Sequence, residues 1–338
     1  MTASPRRRIA LVLALLAAAA ALVTVPVAPA AAEPGEPGNE GGSPTLGQVL
    51  DAAGRGYLAA KSKLDASKKR QRELTAQLRT VEARLDDLLV EVGQVAAVSY
   101  RTGRLSTAAA LLNSASPDSF LERAKAADIM AQRDDARLRE LRKLRDEQRR
   151  AKTAIDAEVA NQAKQVGIMK KRKDDAERAL VAVGGRATGG FVSASSPLAK
   201  PAPRNPDGSW PKESCIIDDP TTSGCVTPRT LNSLQQAKAA GFRRHVSCFR
   251  SGGPYEHPKG RACDYAAQRN GFGGTATGDD RRYGNDLAAF FVRNADRLGV
   301  LYVIWFRQIW FPGSGWRSYN GGSDPSGAHT NHVHLSLI

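Results

Sequence analysis

The sequence predicts two unlike modules: a long antiparallel α-helical coiled-coil hairpin, then a small α+β domain with an antiparallel sheet. Three observations carry this expectation. From residue 57 apolar residues recur in steps of three and four, and no proline falls between Pro44 and Pro117. All four Trp and all four Cys of the 338 residues lie after residue 204. In that last part, short strand-like runs surround only two helical patterns. One uniform globular fold is excluded.

The elements follow in order. Residues 1–32 read as a secretory signal peptide. Arg6, Arg7 and Arg8 precede an apolar run from Ile9 to Val25, and Ala30–Ala32 offer small residues for cleavage. A retained anchor is the alternative, although the run reaches only the lower limit of about 17–25 residues for a spanning helix. The mature protein is therefore expected outside the cytoplasmic membrane. Residues 33–44, rich in Glu, Pro, Gly and Asn, are expected to be disordered.

Residues 45–183 form the hairpin. The first seam runs through Leu74, Leu78, Val81, Leu85, Leu88, Val92 and Val95, and the second through Leu138, Leu141, Ile155, Val159, Val166, Met169, Ala176, Leu180 and Val183. Arg145, Gln148 and Lys152 fall on seam positions, so pairing there is expected to be loose. Gly103 and the Ser/Asn/Pro cluster to Asp118 break the pattern, and Pro117 suits the first turn of a new helix. Read from periodicity alone, such a hairpin is a spacer or a dimerising rod as readily as a regulatory element. Residues 184–209, rich in Gly, Ser, Pro and Ala, read as a flexible linker.

Charge bounds the partners. Lys and Arg number 49 against 34 Asp and Glu, a net of +15. Residues 45–183 carry 28 basic and 20 acidic side chains, and residues 205–338 carry 15 and 11. Neither stretch is basic enough to demand nucleic acid; mild attraction to a polyanionic surface suffices.

Residues 210–338 are the α+β domain. Thr227-Pro228 opens a helix closing near Gly241, and a second runs from Tyr283 to Leu298 before Gly299. Strands are expected at His245–Arg250, Ala262–Ala266, Leu301–Trp305, Gln308–Trp310 and Val333–Leu337. Four cysteines in an exported chain favour two disulfides. Of three connectivities, Cys215–Cys225 with Cys248–Cys263 keeps both loops short. A thiolate zinc site is disfavoured because no C-x-x-C occurs. Trp305, Trp310 and Trp316 read as core and rim more readily than as sugar platforms. Gly271–Gly274 reads as a loop bordering the site.

Histidine is scarce and concentrated. Of five, His329, His332 and His334 fall in the last ten residues, and His257 precedes Asp264 by seven. A catalytic zinc needs three N or O ligands and an open position. His257, Asp264 and one terminal His would supply them. His332 and His334 share one face of a strand, so one can bind metal while the other acts beside it.

Here a resemblance becomes specific. His257-x-x-Gly260-x-Ala262-x-Asp264 and His332-Val333-His334 resemble the HxxGxAxD and HxH motifs of the zinc DD-peptidase and Hedgehog fold group. Cys248-Phe249-Arg250-Ser251 is similar to the aromatic-Arg-Ser ahead of the first motif in D,D-carboxypeptidases, and His329, His332 and His334 resemble the H-x-x-H-x-H of murein endopeptidases. The resemblance implies a Hedgehog/DD-peptidase-like fold. It also implies zinc held by His257, Asp264 and His334, with His332 as general base or oxyanion donor. Arg250 would then hold a substrate carboxylate or stabilise the transition state, and His329 would stand behind the ligands. Where many relatives carry a Glu base, this chain has Asn331; Glu256, beside a ligand, is expected to point away. Residues 99–134 resemble the tip of the coiled-coil domain of secreted peptidoglycan hydrolases. That implies peptidoglycan peptides as substrates and a membrane-protein regulator at the hairpin. The expectation is a secreted zinc peptidase acting on peptidoglycan. The alternative is a non-catalytic wall-binding or regulatory protein with a structural or vestigial metal site.

Overall fold

The computed structural model describes residues 44–103 and 106–338. The expected signal peptide and almost all of the expected disordered stretch lie outside the described residues. No helix among the described residues is long and apolar enough to cross a membrane.

Helix α1 (Pro44–Thr102) and helix α3 (Pro117–Ala182) form the hairpin, joined by the short helix α2 (Ser106–Leu112). Ser116 caps α3 in a reciprocal capping box with Ser119, and Pro117 sits at the first turn. The arms run antiparallel, because partners on α3 descend as those on α1 ascend: Gln71 to Gln162, Glu82 to Gln148 and Glu91 to Arg137. Leu85, Leu141 and Leu144 make a small apolar core midway. Two of the three polar seam residues do reach across: Gln148 lies 3.0 Å and Lys152 3.3 Å from one carboxylate oxygen of Glu82. Gln and Lys are long enough to reach across the seam and satisfy an acid there, which periodicity alone does not reveal.

The α+β domain is built on a six-stranded antiparallel sheet, with β3 (Val246–Ser247), β4 (Ala262–Ala266), β5 (Val300–Trp305), β6 (Gln308–Phe311), β7 (Gly315–Ser318) and β8 (His332–Leu337) in the order β3-β4-β8-β5-β6-β7. A small separate ribbon joins β1 (Ile217–Asp218) to β2 (Cys225–Val226). The expected β4 coincides with the observed one; β1, β2 and β7 were not anticipated, being two to four residues long and without a clear alternation. Helices α4 (Pro228–Ala239), α5 (Gly278–Arg293) and α6 (Ala295–Leu298) complete the domain. The second expected helix thus begins five residues earlier and breaks at Asn294, whose side chain accepts from the Ala199 N–H and donates to the Phe290 carbonyl.

Alternation divides the sheet into two faces. Cys263, Tyr265, Val303, Trp305, Val333, Leu335 and Leu337 face α4 and α5 and join the main core with Leu234, Leu287, Phe290 and Phe291. The opposite face carries Asp264, His332, His334 and Ser336 on β4 and β8, then Tyr302, Ile304, Ile309 and Phe311 farther along. The hairpin base covers that apolar half: Leu46, Leu50 and Ala53 of α1, with Ala176 and Leu180 of α3, form a second core against it. Gly54 lets α1 come this close, since a Cβ there would meet Leu301 and Phe311 at 2.7 and 2.9 Å.

Residues 186–204, expected as a free linker, form a strap. Ser318 N–H donates to the Arg186 carbonyl, Ala199 N–H to Asn294 Oδ1 and Ala202 N–H to the Arg297 carbonyl. Phe191 packs edge-on against Trp316. Small and proline-rich residues without periodicity serve a close-fitting extended strap as readily as a tether, so composition could not separate the two. Both expected disulfides are present, Cys215–Cys225 and Cys248–Cys263, and they indicate an oxidising, extracytoplasmic environment.

Candidate metal centre

Three elements meet at the centre. Asp264 and His334 are direct cross-strand partners on β4 and β8, so their side chains rise side by side. His257 comes from a 3₁₀ turn (His257–Lys259) that ends at Gly260 with φ 65°. A Cβ at Gly260 would strike Cys215 Sγ and the Cys225 carbonyl, so this turn needs glycine on both counts. The Cys248–Cys263 bridge ties the end of β3 to β4 and so places the Cys248 carbonyl at the rim.

The donor atoms converge. His334 Nδ1 is 2.7 Å from Asp264 Oδ1, His257 Nε2 is 3.2 Å from Asp264 Oδ2, and the two imidazole nitrogens are 3.3 Å apart. All three residues are buried, and their ligand atoms lie within 4.8 Å of one another. Ligand atoms each about 2.1 Å from a tetrahedral ion stand about 3.4 Å apart, so the set fits a metal. The outer nitrogens are already committed. His257 Nδ1 donates to the Cys248 carbonyl, which can only accept, and His334 Nε2 lies 2.8 Å from Ser336 Oγ. In a neutral His257, Nε2 is therefore a lone pair aimed at a carboxylate. Such acceptors tolerate one another only around a proton or a cation.

Asp264 is wholly buried, which opposes its ionisation. With a proton at that junction the imidazoles around it, His257 foremost, nevertheless hold its carboxyl well below the usual carboxylate range. Arg250 places Nη1 2.8 Å from Asp264 Oδ2 and remains partly exposed. His332 faces the same carboxylate, with Nε2 3.6 Å from Oδ1. Its Nδ1 donates to Asn331 Oδ1 at 2.7 Å, and Asn331 in turn gives its amide N–H to the Gly273 carbonyl. That chain leaves His332 Nε2 bare. Burial, only partly offset by Asp264, pushes the ring down to about 4, so it is neutral at physiological pH.

The fold brings together every site residue named from the sequence. His329 packs beside His332 and His334 at ring-centroid distances of 4.7 and 5.8 Å. Glu256 points away as expected, buried against Arg55 of α1 at 2.8 Å and Lys259 at 2.7 Å. Four contributors escaped the sequence reading: Asn331 as partner of His332, the Cys248 carbonyl, Ser336, and Tyr302, whose ring stacks on His334 at 5.6 Å. Ser336 was within reach, because it lies two residues beyond His334 on one strand face. The loop residue Phe272 meets His332 edge-on, so that loop does border the site. The tryptophans are structural: Trp305 is buried and donates to Asn285, and Trp210 lies against the guanidinium groups of Arg204 and Arg229.

No curated protein and no solved structure matches the chain. The family model described as VldE, C-terminal domain matches residues 222–333, a stretch that contains His257, Asp264 and His332 and stops one residue short of His334.

Proposed function

We propose that this chain is a secreted zinc-dependent peptidase that hydrolyses peptide bonds in peptidoglycan and is governed by its helical hairpin. The observation that carries the reading is the convergence of His257 Nε2, the Asp264 carboxylate and His334 Nδ1, each held from outside by a second partner. Zinc in such a set supplies Lewis acidity, activating water and polarising a carbonyl near neutral pH. The remaining roles fall to the chain itself. His332 Nε2, bare and held by Asn331, accepts the proton lost by the attacking water and can return it to the leaving amine. Arg250, partly exposed beside Asp264, holds a substrate carboxylate or the negative charge that develops on the carbonyl oxygen. Ser336 and the Cys248 carbonyl keep the two ligand rings in register.

Regulation rests on where the hairpin sits. Its base covers the apolar half of the sheet face beside the site, Tyr255 packs against Gly47, and Arg55 holds Glu256, the residue before His257. His257, Asp264, His332 and His334 are at most 1% exposed. A shift of this base would widen the approach to them. The far end offers a handle for a membrane-protein regulator: Tyr100, Leu112, Leu121 and Met130 are 90, 86, 63 and 67% exposed.

The same burial favours a second reading, a non-catalytic wall protein whose metal only braces the fold. Digestion of purified peptidoglycan by the zinc-loaded mature chain, with products read by mass spectrometry, separates the two. The control is His334→Ala, and the digest is repeated with Leu50→Glu, which loosens the hairpin base. New peptide termini that vanish with His334→Ala support the peptidase. An unchanged profile from both forms, with a melting temperature that collapses on chelation, supports the structural metal instead.

A further inference from the structure

Among the described residues, three non-glycine residues hold φ in the left-handed region: Phe306 at 49°, Arg307 at 61° and His329 at 52°. They form one unit. Phe306 N–H donates to the His329 carbonyl at 2.8 Å, and Arg307 N–H donates to the Ala328 carbonyl at 3.1 Å. A two-residue turn with both central φ values positive favours Asn and Gly. Between β5 and β6 that conformation is imposed on Phe and Arg, and their N–H groups clamp the segment bearing His329. Strain gathered in this way accompanies preorganised sites.

The imidazole is held as firmly as its backbone. Nδ1 lies 3.1 Å from the Gly327 carbonyl, which only accepts, so Nδ1 carries the proton. Nε2 is then a lone pair, buried and without a hydrogen-bond partner. The ring touches those of His332 and His334, yet it stands outside the triad whose ligand atoms lie within 4.8 Å of one another. An orphaned acceptor beside a reaction centre discriminates strongly in favour of a ligand that brings the missing donor.

We propose that His329 is a substrate-holding residue whose Nε2 accepts a backbone amide N–H of the bound peptide. The proposal rests on the peptidase reading above. Electrostatics selects the donor. Arg250 at the Asp264 carboxylate, with a cation in the triad, makes the pocket positive, which repels an ammonium group and tolerates a neutral amide.

The test uses the zinc-loaded mature chain, with the native hairpin and with Leu50→Glu. The probes are an N-acetylated stem peptide and analogues in which each amide N–H in turn is replaced by an ester oxygen. His329→Asn keeps a side-chain N–H for the Gly327 carbonyl and tolerates positive φ, but removes Nε2. His329→Gln serves as the second variant, offering an acceptor of similar reach. In the native sequence one ester weakens binding about 10-fold, close to 1.4 kcal/mol. In His329→Asn that position becomes insensitive, in His329→Gln sensitivity partly returns, and zinc affinity stays within about twofold in both. A hundredfold loss of zinc affinity in His329→Asn would make His329 a ligand and overturn the proposal. So would indifference of the native protein to every ester, or unchanged sensitivity in both variants. Peptide binding and cleavage in those cases leave the peptidase reading intact, whereas a native protein that binds no stem peptide in either hairpin form defeats both.

Discussion

Asn331 accepts from His332 Nδ1 while its own amide donates to Gly273, so the side chain has one orientation and His332 one tautomer. Replacing it with Leu frees the ring to present Nε2–H. Turnover should drop about 10²–10⁴-fold, the scale at which a wrong tautomer disables an imidazole base. Metal affinity by competition should change little, and a parallel collapse of both would count against the base. The buried rings also set a pH dependence. His332 and His329 lie below the ordinary histidine value when folded, so the unfolded chain binds more protons as pH falls beneath about 6.5. Stability is therefore present above that value and is lost towards pH 4, with His332 alone worth about 3 kcal/mol. Asp264, depressed in the fold, extends the loss below its unfolded value of about 4. Thermal melts of the chelated protein between pH 7 and 4 should show a steady decline; a flat profile would refute it.

At the scale of the element, the Cys248–Cys263 bridge both closes a 15-residue separation and fixes the carbonyl that orients His257. Converting both cysteines to Ser should cost about 2–4 kcal/mol of stability. It should also weaken metal binding about 10–100-fold, as loss of an outer partner does. A variant that melts earlier yet binds metal unchanged would show that the carbonyl holds its place without the bridge. Leu180 of α3 is fully buried in the second core, under the sheet face. Leu180→Ala should destabilise the packing of the hairpin base by about 2–5 kcal/mol. Denaturant unfolding read on the Trp residues, all of which lie in the α+β domain or its approach, would measure it.

Across the whole molecule, hairpin and sheet share one core, and the site lies on the same sheet face beside it. Leu50, 3% exposed, packs there with Tyr302, whose ring stacks on His334. If the hairpin is a restraint, Leu50→Glu should raise hydrolysis by the mature chain about 10-fold or more while zinc content stays the same. Equal rates in the two forms would remove the case for restraint. Arg55→Ala probes the same contact through charge: it strips Glu256 of one of three nearby cations and leaves Lys259 and Arg261. A smaller gain, about two- to threefold, is expected in the same digest.

Legible in the sequence alone were the helical and α+β parts, the hairpin arms, the two disulfides and a His/Asp group able to hold a metal, with His334 picked out by the resemblance. Those rest on local rules: steps of three and four mark α1 and α3, alternation puts His332 and His334 on one strand face, and short loops favour one cysteine pairing. The partners around that group, and the elements packed beside it, emerge from the folded chain alone. Asn331 and the Cys248 carbonyl matter through partners brought close by sheet register and by the bridge, and composition carries no trace of either. The strap at 186–204 read as a tether because its hydrogen bonds go to distant residues. The packing of the hairpin base beside the site is the extreme case. Apolar residues at 46, 50 and 53 satisfy a helix pattern whether they meet α3, solvent or a sheet, and the choice is made by shape complementarity across about 250 residues of chain.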